Sequence, residues 1–268
     1  MDISFSPENI LTLDQLAKEK NVTAVVDAGV APGIPNFLLG YWNTKMKINS
    51  FDYCVGGLPK NPSPPYNYKA PFSPIDVIEE YTRPARMMID SEVVTKAALS
   101  DLEIFNFSEV GELEAFNTDG LRSLLQTMKH IPNMKEKTLR YPGHAKLIQS
   151  MIDEGLFDNN NFDDTVKKLF KDWKLEENEP EFTVLDINIY GDTKNIHYHL
   201  YDEMDIGSKS SSMARTTGYT ATATINMLLK NLWNKKGVYP PETVGENANC
   251  IEFLLSYLSD RNVKITQT

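Results

Sequence analysis

Thr23-Ala-Val-Val-Asp-Ala-Gly-Val-Ala-Pro-Gly33 is the stretch whose reading decides the fold. Val25 and Val26 have the texture of a strand covered on both faces, 27–33 is a Gly/Pro turn at its carboxyl end, and 34–42 is an apolar helix. An α/β sheet presents backbone to a ligand in this way. Such a strand needs parallel neighbours. Upstream stand a strand end over 2–5 and a helix over 12–20, with Leu13, Leu16 and Ala17 on one side and Thr12 as its N-cap. That makes one strand–helix–strand unit, without the Gly-x-Gly-x-x-Gly turn of a dinucleotide domain. The chain therefore reads as the later part of a larger protein, with 1–43 the last unit of a nucleotide-binding α/β domain and 44–268 a second domain.

Composition sets the outer limits. A chain of 268 residues with 41% hydrophobic content has ample material for a core. Its net charge of -10 argues against nucleic acid or an anionic membrane as partner, because both demand basic surface. Cys54 and Cys250 lie far apart without zinc-type spacing, so neither a disulfide framework nor a metal site is indicated, and a reducing cytoplasm is expected. Neither a signal-peptide pattern nor an apolar run of membrane-spanning length is present in the sequence.

Beyond Trp42 the pattern changes to strands separated by turns. A strand over 47–55 leads to a Pro-rich loop over 56–65, which is expected to stay outside any ladder. Ser73-Pro74 opens a helical turn, and 83–89, 92–97 and 103–109 read as an antiparallel meander. Helices are expected over 118–129, 145–154, 163–173 and 212–235, with a strand from Thr138 before the second. A loop over 237–241 precedes a last helix carrying Phe253 to Leu258. The clearest strand pair is 182–190 with 195–201, where Leu185, Ile187 and Ile189 alternate with Asp186, Asn188 and Tyr190. The fold class is α+β, a mixed and largely antiparallel sheet with helices on one face.

Several stretches carry residues suited to chemistry. The turn places the Asp27 carboxylate beside backbone that Gly29 and Gly33 leave open, suited to a bound ring or simply to a tight turn. Cys54 followed by Gly56 and Gly57 suits amide contacts to a polar substrate, or a wide turn over a buried thiol. Glu112, Glu114 and Asp119 can bind an ammonium or shuttle a proton, or can flank a capped helix start. Arg140 and His144, around Pro142-Gly143, converge with helix amides into an anion site. Arg215, with Thr216 and Thr217, clamps a carboxylate or pairs with an acidic neighbour. His197 and His199 share one strand face without an identifiable third metal ligand, which reads as a polar face, either at a homodimer contact or turned to solvent.

Taken in order, Asp27-Ala-Gly-Val-Ala-Pro-Gly33, Gly56-Gly57-Leu58-Pro59, the segment from Val110 to Leu121, Thr138-Leu-Arg-Tyr-Pro-Gly-His144, Met213-Ala-Arg-Thr-Thr-Gly218 and Gly237-Val-Tyr-Pro-Pro-Glu242 resemble the saccharopine dehydrogenase family, most closely its lysine 6-dehydrogenase branch. The resemblance implies a Rossmann domain followed by a catalytic domain like the C-terminal domain of glyceraldehyde-3-phosphate dehydrogenase, its last helices packing back on the nucleotide side. It implies NAD or NADP as cofactor and hydride transfer at an amine-bearing carbon of an amino acid. It assigns Glu114, Asp119 and His144 to catalysis, Gly56, Gly57, Arg140, Arg215 and Thr216 to the substrate, and Asp27, Gly29, Pro32 and Gly33 to the nicotinamide. Ala28 departs from the cysteine associated with the lysine branch. The chain is expected to be an engineered truncation or a natural fragment that binds the dinucleotide poorly by itself. A non-catalytic amino-acid-binding or dimerisation module, and a carboxynorspermidine-type or saccharopine-forming reductase, are the alternatives.

Overall fold

A computed structural model describes residues 1–4 and 9–268, so the expected strand end over 2–5 lies partly outside the described residues. A 3-10 turn at Ile10–Leu13 leads into α1 (Asp14–Glu19), β1 (Thr23–Val25), α2 (Ile34–Asn43) and β2 (Ile48–Pro59). Next come α3 (Pro74–Thr82), β3 (Ala85–Ile89), β4 (Glu92–Lys96), β5 (Glu103–Phe107), β6 (Gly111–Asn117), α4 (Leu124–Thr127), β7 (Asn133–Arg140), α5 (His144–Asp153) and α6 (Phe162–Asp172). Then follow β8 (Glu181–Gly191), β9 (Asn195–Glu203), α7 (Ser212–Leu229), β10 (Gly237–Tyr239), α8 (Pro241–Gly245), α9 (Ala248–Ser259) and β11 (Ile265–Gln267).

The fold is α+β with a mixed, mostly antiparallel sheet, ordered β11-β9-β8-β2-β7-β3-β4, in which β2 and β7 form the parallel pair. β7 divides its second edge, pairing with β3 at Met134 and with β6 over Lys137 to Arg140. A separate two-stranded parallel sheet joins β1 to β10, with Val25 opposite Tyr239. One face of the large sheet packs on α2, α7 and α9 through Phe51, Tyr53, Ile187 and Leu200. The opposite face carries a second helical layer at one end, where α3, α5 and α6 cover Leu58, Phe116, Leu139 and Phe182. Among the described residues no helix is long and apolar enough to cross a membrane.

Five local expectations change, each for a reason visible in the hydrogen bonds or the packing. β2 runs on through Gly56 and Gly57, because its ladder to β8 continues as far as Pro59 opposite Glu181. Only its last residue is a proline, where a missing N–H costs a ladder least. The segment 111–117, expected only to flank a helix start, is a strand, its Leu113, Ala115 and Phe116 buried beside β7. The helix over 118–129 shrinks to the single turn α4, since the side chains of Thr118 and Asp119 are drawn into bonds with neighbouring strands. The expected loop at 237–241 contains β10, and Thr12 yields its capping role to Asn9, whose side chain accepts from the Leu11 amide at 3.2 Å.

Gly40 shows how closely the two sheets are joined. A Cβ there would lie 1.9 Å from the Glu242 carbonyl oxygen, and one at Gly245 would lie 2.2 Å from that of Phe37. α2 and α8 thus touch backbone to backbone. Glu242 is buried in the seam, where it accepts from Asn36 Nδ2 at 3.0 Å and Thr127 Oγ1 at 2.6 Å. Gly40→Ala is expected to lower the stability by about 1–3 kcal/mol through forced separation of these helices, measured as a lower denaturant midpoint with an unchanged slope.

Candidate functional site

A cavity of about 310 Å³ opens beside the carboxyl ends of the parallel pair β2–β7, the place where open α/β-type sheets receive ligands. The turn after β1 supplies Asp27, Gly29 and Pro32 to its wall, and β2 supplies Val55, Gly56 and Gly57. Thr138 and Arg140 enter from β7, Asp76 and Glu80 from α3, and Met213 and Thr217 from α7. An added Cβ at Gly56 would stand 2.8 Å from the Leu139 carbonyl oxygen, so packing around the cavity requires that glycine, whereas one at Gly57 would meet the flexible end of the Met213 side chain at 2.5 Å, which can move aside.

Arg140 is the centre of the charged floor. Its guanidinium is 3% exposed, donates from Nε to the Tyr81 hydroxyl at 2.8 Å and from NH1 to the Leu139 carbonyl at 2.9 Å, and lies 4.3 Å from the Tyr68 ring centroid. Glu80 Oε2 stands at 3.3 Å, a loose ion pair. Desolvation in this recess pushes the Glu80 carboxyl up to about 7, although Arg140 pulls the other way. Glu80 thus changes charge near neutrality while facing the cavity.

His144 stands behind this floor and does not line the cavity. Its Nδ1 lies 2.8 Å from the Tyr66 carbonyl, which can only accept, so Nδ1 carries the hydrogen. Nε2 is then the acceptor for the Tyr81 hydroxyl at 2.9 Å. Burial first, and Arg140 second, lower its pKa to about 3, so the ring is neutral and serves to orient Tyr81.

The remaining expected residues fall into two groups. Asp27 has a left-handed φ of 53° and lines the cavity while paired with Arg122 at 3.1 Å. Desolvation raises its pKa against the pull of Arg122. Glu114, Asp119, Arg215 and Thr216 stand outside the cavity, each held by a local partner. Glu114 accepts the Gly143 and Ala145 amides at 2.9 and 2.6 Å and so caps α5. Asp119 takes Arg86 Nε at 2.9 Å and NH2 at 2.7 Å, and Arg215 forks onto Asp202 at 3.0 and 3.1 Å. Thr216 Oγ1 donates back to the Ser212 carbonyl at 2.9 Å within α7. Glu80 escaped the sequence reading because a Glu-Glu pair on a short amphipathic helix looks like a solvated face. Its one signal was proximity in sequence to Tyr81.

The turn after β1 fits one end of a nicotinamide dinucleotide better than the other. Within it the Gly29 amide donates to the Pro32 carbonyl, that of Gly33 to Asn36 Oδ1 and that of Ile34 to the Val30 carbonyl, at 3.1, 3.2 and 3.1 Å. Apart from Asp27, which is paired with Arg122, the side chains that the turn presents to the cavity are apolar: Val30, Ala31 and Pro32, with Val55 and Met213 nearby. Such a wall suits a flat ring. A pyrophosphate needs free amides or cations, and among the described residues Arg140 is the one cation on the lining.

Two solved structures share this architecture. Saccharopine dehydrogenase (L-Glu forming) from Saccharomyces cerevisiae superposes with a TM-score of 0.73 at 16% identity, over 100% of this chain and 79% of that one. Homospermidine synthase from Legionella pneumophila, in complex with NAD, gives 0.63 at 11% identity, over 98% and 68%. At such identities the likeness defines the fold. The chain belongs to the saccharopine dehydrogenase C-terminal domain family, whose profile matches residues 29–263. Mitochondrial alpha-aminoadipic semialdehyde synthase of Bos taurus is 25% identical over 163 residues, which are 56% of this chain and 18% of that protein's length.

Capping by Glu114 makes a separable prediction. Glu114→Gln turns a charge-assisted acceptor into a group with its own N–H donors, and is expected to cost about 1–2 kcal/mol of stability. Chemical denaturation measures the loss as a lower midpoint with an unchanged slope.

Proposed function

We propose that the cavity binds the amino-acid substrate of an NAD(P)-dependent oxidoreductase of the saccharopine dehydrogenase type, acting at an amine-bearing carbon. The observation that carries this reading is the Arg140–Glu80 pair: a cation and a titrating carboxylate beside one small recess match the two charges of an amino acid. The dinucleotide, when bound, supplies the hydride chemistry. Arg140 holds the substrate carboxylate, which competes with the loose Glu80 contact for the guanidinium. Glu80, released from Arg140, faces the amine and exchanges a proton with it near neutral pH. Tyr81 and His144 fix the guanidinium, and the apolar wall from Val30 to Pro32 keeps water from the reacting carbon. The lysine 6-dehydrogenase-type and saccharopine-forming readings share this recess and differ in what joins the amine.

The sign of the pH effect follows from Glu80. Below about 7 its carboxyl is neutral and gives an ammonium no charge partner, so affinity for L-lysine is expected to rise as pH increases through that value. Calorimetric titration with L-lysine, L-glutamate and L-lysinamide checks this, with and without NAD. Glu80→Gln is expected to flatten the rise, and Arg140→Met to weaken carboxylate-bearing ligands by about 10- to 100-fold. L-lysinamide is expected to bind weakly throughout. L-lysine binding that is indifferent to NAD and yields no NADH favours the non-catalytic module. Equal binding by Arg140→Met contradicts the assignment.

A further inference from the structure

Glu136 is a buried carboxyl for which the substrate recess offers no direct use. It follows Met134 and precedes Thr138 and Arg140 on one face of β7, so a single strand face runs from the apolar core to the cavity floor. Its side chain is 4% exposed. Glu136 Oε2 meets Thr118 Oγ1 at 2.7 Å and the Gly120 amide at 3.0 Å. Thr118 Oγ1 in turn lies 2.8 Å from Thr138 Oγ1, and Thr138 lines the cavity. Three side chains thus form an unbroken hydrogen-bonded row from a buried acid to the recess that holds Arg140. Neither threonine hydroxyl is needed to satisfy a helix end or a ladder, and each can accept on one side while donating on the other.

We propose that Glu136, Thr118 and Thr138 form a proton path that delivers a proton from the buried carboxyl to a group bound in the cavity and recovers it afterwards. In delivery, Glu136 gives its proton to Thr118 Oγ1, Thr118 passes its own to Thr138 Oγ1, and Thr138 donates to the bound acceptor. Glu136 is left as a carboxylate. No bond between heavy atoms changes and no electron is transferred, and the return transfer restores the starting state. Glu136 is therefore a positioning residue that acts through Thr138. Desolvation pushes the carboxyl up to about 8, with Glu80 and Asp119 adding to the rise, against the pull of the bonds to the Thr118 hydroxyl and the Gly120 amide. Tyr53 faces it from β2, and Cys54 shares the same field. Asp119 is neutralised by Arg86, and Glu80 in part by Arg140. A proton held near neutrality suits the step in which an amine and a carbonyl condense, where a hydroxyl leaves as water.

That use in turnover rests on the amine chemistry proposed above, whereas the path itself is read without substrate. Infrared spectroscopy of the full chain near neutral pH is expected to show a protonated carboxyl band that Glu136→Gln removes. In the wild type this band shifts promptly on transfer to D₂O. Thr138→Val is expected to keep the band but slow its exchange by about tenfold or more, and Thr138→Ser to restore the prompt shift. A buried acid with only a structural role would show no difference between Val and Ser. Exchange in Thr138→Val as fast as in wild type overturns the proposal, as does a spectrum that Glu136→Gln leaves unchanged. Failure of amino acids to bind overturns the substrate reading alone, since the exchange rates are measured in its absence.

Discussion

A guanidinium removed from water must be given back its hydrogen bonds, and in this chain Arg140 is where that demand is met. The Tyr81 hydroxyl, the Leu139 carbonyl and the face of Tyr68 answer it, with Glu80 completing the charge loosely. His144 fixes Tyr81, and the Tyr66 carbonyl fixes His144. The recess is organised because each of these groups has one satisfying arrangement. A charge held this firmly costs little further ordering when a ligand carboxylate arrives.

Burial also explains why opposite charges here have distinct tasks. Arg140 is held in its cationic form by Tyr68, Tyr81 and Glu80 despite desolvation, while the same low-dielectric surroundings press His144 to stay neutral and Glu80 and Glu136 to keep their protons. Fixed positive charge and exchangeable protons therefore lie on either side of one small volume. Strand β7 arranges this by alternation alone, with Glu136, Thr138 and Arg140 on one face and the buried Leu139 on the other.

Local signals in the sequence made much of the architecture legible. The Val-Val run before a Gly/Pro turn gave β1 and the start of α2, and alternation of Leu185, Ile187 and Ile189 gave β8. β6 and β10 stayed hidden because short strands beside charged or Pro-rich residues are made by their partners, β7 and β1. The site was legible where backbone or a single cation decides it: Asp27, Gly29, Pro32, Gly56, Gly57 and Arg140 all reach the cavity wall. Glu114, Asp119 and Arg215 have the right charges, but Gly143, Arg86 and Asp202 claim them, and a sequence shows valence without showing the partner. Glu80 and Glu136 were invisible for the converse reason, since their chemistry comes from desolvation created by distant segments.

In the proposed function the buried guanidinium of Arg140 receives the carboxylate of an amino acid. Its Nε–H resonance in ¹⁵N-labelled protein reports on that event directly. Titration with L-lysine is predicted to shift this resonance progressively, while L-lysinamide, which lacks the carboxylate, leaves it in place. Identical responses to the two compounds, or none to either, would contradict the account.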